Sequence, residues 1–368
     1  MVFDLQKKGI EKAVLVGLAR SSKDRLEVED SLDELAELAF SAKAEVIGKK
    51  IQVKQRPNPA LYVGTGFVEQ IKEMLKENDG NTVIFDDTLT PAQQRNLEEA
   101  LECKVIDRPI LILDIFATRA RTAGSRLQVE LAQLEYTLPR LTGAWTHFSK
   151  QYGGIGAKGP GETQLEIDRR QVRTKITQLK NRLKKLDVQR ATQRKRRQNL
   201  YKIALVGYTN AGKSTLFNLL TKAEVRTQNM LFTTLDSTTR VMSTGYPSVT
   251  VFSDTVGFIK KLPHQLVESF KSTLEEVALA NLLLHVVDCS EENYAERISH
   301  TREILKEIGA DKVPYLLVYN KIDKFPDFLP DAELSQKSFS ISASKKTGIK
   351  QLQAEIILQS DNFGIKKY

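Results

Sequence analysis

Several features that assign a chain to other classes of protein are scarce in this sequence. Only two of the 368 residues are cysteines, Cys103 and Cys289, which excludes a disulfide framework and a cysteine-rich zinc site. The four histidines lack metal-ligand spacing. No apolar run approaches the roughly 18 residues that span a bilayer, and residues 1–10 lack the apolar stretch of a secretory signal. These absences predict a cytoplasmic protein, with any membrane association only peripheral.

The length of the chain and its hydrophobic pattern predict more than one domain. A chain of 368 residues suits two or three domains, and 41% hydrophobic residues are enough to give each domain a core. Strands alternate with helices over residues 1–110, which predicts a small α/β domain, and the alternation returns over residues 201–368. The predicted strands of the first domain are 13–18, 44–53, 82–85 and 104–106, and its predicted helices are 31–42, 68–75 and 91–101.

Residues 111–200 follow a helical pattern instead. Two sets of apolar residues repeat at 4-3-4-3 spacing, so each set places an apolar seam on one helix, and two such helices pack as an antiparallel hairpin. The seams are Leu127, Leu131, Leu134, Leu138 and Leu141, then Val172, Ile176, Leu179, Leu183 and Leu186. We expect Pro139 to end or kink the first helix near Leu138. Between the seams, residues 151–161 hold five glycines and a proline, which predicts a loop that is either functional or a plain turn.

The positive charge of the protein is concentrated in this helical region. Residues 116–200 contain nineteen Lys and Arg against six Asp and Glu, a net charge of +13, while the whole chain carries +9. The rest of the chain is therefore mildly acidic, at −4. A basic segment on an acidic body indicates a polyanionic partner, although a solvated helix face would give the same composition.

A phosphate-binding motif follows the apolar strand predicted at 202–206. Its sequence is G-x-x-x-x-G-K-S, and a helical pattern comes directly after it, which is the context that the motif requires. The glycines let backbone N–H groups surround a phosphate at the start of a helix. Lys213 would bridge the β- and γ-phosphates, and the Ser214 hydroxyl would bind Mg²⁺. The predicted nucleotide contacts are Gly207, Tyr208, Thr209, Asn210, Ala211, Gly212, Lys213, Ser214 and Thr215.

Three further motifs, each after a predicted strand, specify GTP rather than ATP. The motifs are Asp254-Thr255-Val256-Gly257, Asn320-Lys321-Ile322-Asp323 and Ser342-Ala343-Ser344. Asp254 would hold the Mg²⁺ shell, and the Gly257 amide would meet the γ-phosphate. The Asp323 carboxylate would accept hydrogen bonds from the guanine N1 and N2 donors, and the Ala343 amide would meet guanine O6. The Asn320 side chain would tie its loop to the phosphate-binding loop.

A segment that senses the γ-phosphate is expected between the phosphate-binding loop and Asp254. Its candidate includes Phe232, Thr233 and Thr234, with Thr234 preferred as the Mg²⁺ ligand and Thr233 as the alternative. Phe258 follows Gly257, where many GTPases place a glutamine that orients the attacking water. A phenylalanine has no donor or acceptor for that task. Intrinsic hydrolysis is therefore predicted to be slow, unless another side chain positions the water.

Two long runs of the sequence resemble the HflX family of GTPases. These are residues 254–276, which contain Asp254-Thr-Val-Gly-Phe-Ile, and residues 153–170, which begin Gly153-Gly-Ile-Gly-Ala-Lys. The Phe232-Thr-Thr-Leu-Asp run is also similar to the family's Phe-Ala-Thr-Leu-Asp, which makes Thr234 the matching threonine. The resemblance implies a TRAFAC-type P-loop GTPase domain preceded by a small α/β domain and a basic antiparallel hairpin.

The resemblance also implies a function, a cofactor set and a partner. Family members are cytosolic GTPases that bind the large ribosomal subunit and split stalled ribosomes. The implied cofactors are GTP or GDP with Mg²⁺, and K⁺ held by Asn210 is a further hypothesis. The implied partner is ribosomal RNA, contacted through Gly153, Gly154, Lys158, Arg169 and Arg170. We expect a monomer. The alternatives are an RNA-binding GTPase that times subunit assembly and a tRNA-modification GTPase, although the cofactor domain or C-terminal reactive cysteine expected of the latter is not visible.

The first domain departs from the family pattern at one motif. Members carry Gly-x-Gly-Lys or a similar basic residue there, proposed for a second nucleotide, whereas this chain has Phe67 after Gly64 and Gly66. A short glycine motif is weak, so we favour a plain turn into the next helix. Phe67 in place of a basic residue counts against adenine-nucleotide binding and RNA unwinding at this domain, and the sequence leaves both questions open.

Overall fold

The computed structural model describes residues 11–142, 160–195, 200–221, 231–232, 238–241, 250–261, 276–330 and 337–362. These residues divide into two compact units. The first unit comprises residues up to 118 together with 129–180, and the second comprises 119–128 together with residues from 181 onward. In the described parts of the chain, no helix has the length and hydropathy needed to cross a membrane.

The first unit is built on a four-stranded parallel sheet. Its strands are β1 (Lys12–Ala19), β2 (Glu45–Val53), β3 (Thr82–Phe85) and β4 (Lys104–Asp107), in the order β2-β1-β3-β4. Its helices are α1 (Arg25–Ser41), α2 (Thr65–Glu77), α3 (Pro91–Leu101) and α4 (Arg108–Arg119). The predicted α/β alternation is confirmed. Only the start of α1 differs by more than three residues, because its first turns are charged and exposed and carry no apolar periodicity.

The helical region consists of α5 (Ala123–Thr137), a 3₁₀ turn (Leu138–Thr142) and α6 (Pro160–Lys195). The α-helix therefore ends just before Pro139, as predicted. Helix α6 begins at Pro160, so the prediction that all of 151–161 is a loop was wrong at its last two residues. Proline is tolerated in the first turn of a helix, because the N–H that it lacks has no partner there. Residues 143–159 lie outside the described part of the chain.

The compact units divide the helical region. Residues 119–128, which include the start of α5, belong to the same unit as residues from 181 onward, and residues 129–137 belong to the same unit as those up to 180. Helix α5 contacts α6 through two ion pairs, Lys175 with Glu130 at 2.6 Å and Lys180 with Glu135 at 2.7 Å. The antiparallel hairpin stays a prediction. The seams are only partly buried: Leu131, Ile176 and Leu179 are buried, and the other seam residues that the structure describes are not.

The second unit is built on a six-stranded sheet. Its strands are β5 (Tyr201–Val206), β6 (Thr238–Val241), β7 (Thr250–Asp254), β8 (Leu282–Asp288), β9 (Tyr315–Asn320) and β10 (Ser338–Ser340), in the order β10-β9-β8-β5-β7-β6. Only β6 runs antiparallel to its neighbour. The helices of this unit include α7 (Lys213–Thr221), α8 (Tyr294–Glu307) and α9 (Ile349–Asn362). The carboxyl ends of the parallel strands meet at one edge of the sheet, which is where α/β folds place their ligands.

Candidate nucleotide-binding site

The loop between β5 and α7 needs glycine at both ends of its motif. Gly207 has a φ of +136°, and a Cβ there would lie 2.1 Å from the Val286 carbonyl oxygen. Gly212 has a φ of +91°, and a Cβ there would lie 2.2 Å from the Asn320 Nδ2 atom. Any side chain at either position would clash and would strain the backbone. The local sequence therefore fixes the shape of this loop.

Lys213 lies buried inside this loop. Its Nζ atom donates hydrogen bonds to the carbonyl oxygens of Gly207, at 3.0 Å, and Tyr208, at 2.6 Å. Burial lowers the pKa of Lys213 to about 8. Gly257 lies alongside, because a Cβ added there would be 2.9 Å from the Lys213 Nζ atom. Lys213, Gly257 and Thr234 are the residues that the sequence predicts to act at the γ-phosphate and are therefore the candidates for catalysis. The structure brings Lys213 and Gly257 together, while Thr234 lies outside the described residues.

Ser214 and Asp254 meet at the same end of the sheet. The Ser214 hydroxyl donates a hydrogen bond of 2.7 Å to the Asp254 carboxylate, which is fully buried at the end of β7. A hydroxyl and a carboxylate are oxygen ligands of the kind that Mg²⁺ prefers, so these residues fit the predicted metal. Thr255 is also buried, and its hydroxyl donates to the Leu205 carbonyl oxygen at 2.6 Å. This bond fixes the segment after β7 to β5.

Asn320 links three of the predicted motifs. Its side-chain amide donates to the Ala211 carbonyl oxygen at 2.8 Å, and its side-chain oxygen accepts from the Ala343 amide at 2.9 Å. The predicted tie to the phosphate-binding loop is therefore present. The same buried side chain also holds the loop after β10, because it accepts the Ala343 hydrogen bond.

The Asp323 carboxylate is held by hydroxyl groups. Ser342 donates to it at 2.5 Å and Ser344 at 3.4 Å. The Ser342 hydrogen bond lowers the pKa of Asp323, so the carboxylate stays charged and able to accept hydrogen bonds. Lys321 pairs with Asp288 at 2.6 Å. Asp288 was not predicted as a site residue, because its only signal in the sequence is a single acid at the end of an apolar strand.

Phe258 is joined to the phosphate-binding loop by its backbone. Its carbonyl oxygen accepts from the Thr209 amide at 2.9 Å, and its amide donates to the Gly207 carbonyl oxygen at 3.1 Å. The Phe258 side chain is buried in a cluster that includes Tyr208 and Leu283. The sequence predicted only that this residue cannot orient water. Its role in joining two loops was missed, because it depends on backbone contacts.

The remaining predicted contacts are placed as follows. Asn210 has a φ of +62° and is half-buried, and Phe232 has a φ of +55° and is buried. Ala211 and Val256 are buried, and Thr215 is half-buried on α7. Thr233 lies outside the described residues.

The candidate partner surface lies on α6. Arg170 is exposed and Arg169 is half-buried. They line an open cleft whose described residues are Glu166, Arg169, Arg170, Arg173, Thr174 and Thr177. Three guanidinium groups within two helical turns make this surface basic. Gly153, Gly154 and Lys158 lie outside the described residues.

Three family profiles match consecutive parts of the chain. The profile described as GTP-binding GTPase N-terminal matches residues 29–117, and GTP-binding GTPase Middle Region matches residues 119–197. The profile described as 50S ribosome-binding GTPase matches residues 202–321. Together they account for most of the chain.

Relatives with similar sequences and structures are known. The chain is 48% identical over 343 residues to a protein of Flavobacterium psychrophilum named GTPase HflX, and the match covers 92% of this chain and 83% of that relative. It is 46% identical over 357 residues to GTPase HflX of Escherichia coli, covering 95% and 83%. It also resembles the crystal structure of a GTP-binding protein from the archaeon Sulfolobus solfataricus in complex with GDP, with 25% identity, a TM-score of 0.51 and coverage of 96% and 100%.

Proposed function

Because the chain belongs to the HflX family of GTPases, we propose that it binds the large ribosomal subunit and splits or rescues stalled ribosomes, with its GTP hydrolysis stimulated by the ribosome. Family membership confirms three of our predictions: a P-loop GTPase domain, a GTP hydrolase, and GTP or GDP as the bound nucleotide. The ribosomal role rests on the 50S ribosome-binding GTPase profile over residues 202–321 and on the basic surface of α6.

The proposed nucleotide contacts follow from the arrangement of the loops. Lys213 would turn from the loop carbonyls to the β- and γ-phosphates, because a phosphate offers it stronger, charge-assisted hydrogen bonds. The Gly257 amide would meet the γ-phosphate, since Gly257 borders the Lys213 ammonium group. The charged Asp323 carboxylate would read the guanine N1 and N2 donors. Lys213 would then neutralise charge that develops during phosphoryl transfer.

Ser214 and Asp254 are the described residues that we propose for Mg²⁺, with Thr234 as a further ligand. Bound Mg²⁺ would neutralise phosphate charge during transfer. K⁺ at Asn210, a cytoplasmic location, a monomeric state and domain boundaries near residues 110 and 200 also remain proposals. Hydrolysis measured in K⁺ and in Na⁺ tests the first of them.

The observation that carries the ribosomal proposal is the cluster of arginines on α6. Arg169, Arg170 and Arg173 lie within two turns of one helix, beside a cleft. Arginine binds phosphate groups through paired hydrogen bonds, and RNA offers phosphates at regular spacing. We propose that this face contacts ribosomal RNA while the GTPase domain responds to GTP.

The test compares GTP turnover with and without purified large ribosomal subunits. Stimulation of about tenfold or more would support the proposal, as expected for a GTPase that depends on a partner for hydrolysis. A variant carrying Arg169→Glu and Arg170→Glu should lose most of the stimulation and keep its turnover without ribosomes. Lys312→Glu, at an exposed site outside the helical region, is the matched control.

Two outcomes would contradict the proposal. If GTP binds and large subunits do not stimulate turnover, the alternative of a timer in subunit assembly becomes the better explanation. If Lys312→Glu reduces the stimulation as much as the α6 variant does, the arginine face is not the ribosome contact. Where large subunits do stimulate turnover, light scattering of 70S ribosomes distinguishes splitting, which lowers the scattering, from binding alone.

A further inference from the structure

We propose that Tyr208 is a positioning residue for GTP hydrolysis, which holds the phosphate-binding loop and the segment after Gly257 against α8 through His300 and Arg297. The side chain of Tyr208 packs against α8. Its hydroxyl and the His300 Nδ1 atom are 2.8 Å apart, within hydrogen-bonding distance. The ring is almost fully buried.

Helix α8 contacts this ring on two sides. The Arg297 guanidinium carbon lies 5.1 Å from the centre of the Tyr208 ring, a cation–π distance, and Arg297 also pairs with Glu291 at 3.4 Å. The His300 and Tyr208 rings are 5.7 Å apart. Ile304 and Leu305, four and five residues beyond His300 on α8, belong to the same buried cluster as Tyr208 and Phe258.

The backbone around Tyr208 contacts the two loops that would surround the γ-phosphate. The Tyr208 carbonyl oxygen accepts a hydrogen bond from Lys213, and Tyr208 forms an isolated parallel bridge with Phe258. Phe258 follows Gly257, the proposed γ-phosphate contact. One residue thus connects α8, the phosphate-binding loop and the start of the segment after β7.

This arrangement predicts a particular kinetic defect. Nucleotide affinity comes mainly from the backbone and Lys213 of the phosphate-binding loop, which remain when the hydroxyl is removed. Hydrolysis also requires Gly257 and Lys213 to keep their relative position, because only interactions specific to the transition state accelerate the reaction. Loss of the Tyr208–His300 hydrogen bond should therefore lower kcat more than it lowers nucleotide affinity.

The experiment measures single-turnover GTP hydrolysis at saturating GTP, and GDP affinity, in the full chain. We expect Tyr208→Phe to lower the hydrolysis rate about fivefold, the effect of one lost hydrogen bond, with GDP affinity changed by less than about twofold. His300→Ala should have a similar effect. The double variant should be little worse than either single variant, because both remove the same contact. Glu303→Gln, at an exposed site on α8, is the matched control and should hydrolyse GTP normally.

Three results would overturn the proposal: unchanged hydrolysis in both single variants, additive losses in the double variant, or equal losses of rate and GDP affinity. A purely structural role would lower the melting temperature and leave the hydrolysis rate of the folded protein unchanged. If Tyr208→Phe does not fold, His300→Ala and His300→Gln are compared, and an unchanged rate in both overturns the proposal.

Discussion

The two sheets of this chain use the polar residues at the carboxyl ends of their parallel strands in different ways. In the first unit, Arg108 follows β4 and is completely buried. Its guanidinium group bonds Asp86 at 2.6 Å and Glu34 at 2.9 Å, and Ser31 donates to the same Asp86 carboxylate at 2.8 Å. In the second unit, strand-end residues such as Asn320 instead join the loops that face the proposed nucleotide. In the first unit the charged groups at the strand ends pair with one another. In the second unit the polar groups at the strand ends position loops for the proposed nucleotide.

The glycine motif of the second unit differs in the same way from the glycine pair of the first. Gly207 and Gly212 adopt backbone conformations and close contacts that exclude any side chain. In the first unit, a Cβ at Gly66 would meet nothing within 4 Å, and the Gly64 amide donates to the Gln52 side chain at 2.9 Å. Gly64 precedes the first turn of α2. The two glycines therefore lead into α2, as the plain turn predicts.

The largest expected effect comes from breaking the buried charge cluster of the first unit. Arg108→Met leaves the Asp86 and Glu34 carboxylates buried without their guanidinium partner, which should lower the free energy of unfolding of that unit by about 3–5 kcal/mol. Amide hydrogen exchange in β1 and β3 measures this loss. GDP affinity should be retained, because the proposed nucleotide contacts lie in the second unit.

Arg25→Met, an exposed substitution on α1, is the control for Arg108→Met and should change the exchange rates little. If Arg108→Met lowers the free energy of unfolding by less than about 1 kcal/mol, the charge cluster does not stabilise the first unit as we infer. The comparison between the two sheets fails if β8 loses as much protection as β1.

The stability of the two units should depend on pH in opposite directions, an effect smaller than that of Arg108→Met. Burial lowers the pKa of His285, on β8, to about 3, and burial raises the pKa of Asp114, on α4, to about 7. Between about pH 6 and 4 the unfolded chain binds more protons at His285 than the folded chain does, so acidification destabilises the second unit. At Asp114 the folded chain binds more protons, so acidification stabilises the first unit. Each group contributes about 1.4 kcal/mol per pH unit within its window.

Hydrogen exchange in β8 and in α4, corrected for the intrinsic pH dependence of exchange, measures these opposite trends. His285→Gln should remove the acid sensitivity assigned to β8, and Asp114→Asn should remove the trend in α4. If both regions change in the same direction from pH 6 to 5 in the unmodified protein, the assignment to these two groups is wrong.

The sequence predicted the nucleotide loops better than it predicted the interior of the first unit, for a physical reason. The phosphate-binding loop is specified by neighbouring residues, so Gly207 to Ser214 carry their structural requirement within one motif. The partners of Arg108 are separated from it by 22 to 77 residues, and nothing local marks them as neighbours. For the same reason, the burial of His285 was not predicted, and the role of Phe258 was predicted only in part. The environments of both residues depend on packing between elements that are distant in the sequence.

The smallest predicted effect concerns the first turn of a helix in each unit. Helix α3 begins with a capping box, in which the Thr90 hydroxyl accepts from the Gln93 amide at 3.2 Å and the Gln93 side chain accepts from the Thr90 amide at 3.0 Å. Thr90→Ala should therefore destabilise the first unit by about 1 kcal/mol, measured by hydrogen exchange in α3. Helix α7 begins directly at Lys213, and in our proposal phosphate oxygens complete its first turn. GDP should then protect α7 from exchange and leave the loss in α3 unchanged. If GDP restores the protection of α3 from exchange in the Thr90→Ala variant, nucleotide binding in the second unit affects the stability of the first. The two sheets would then not be independent.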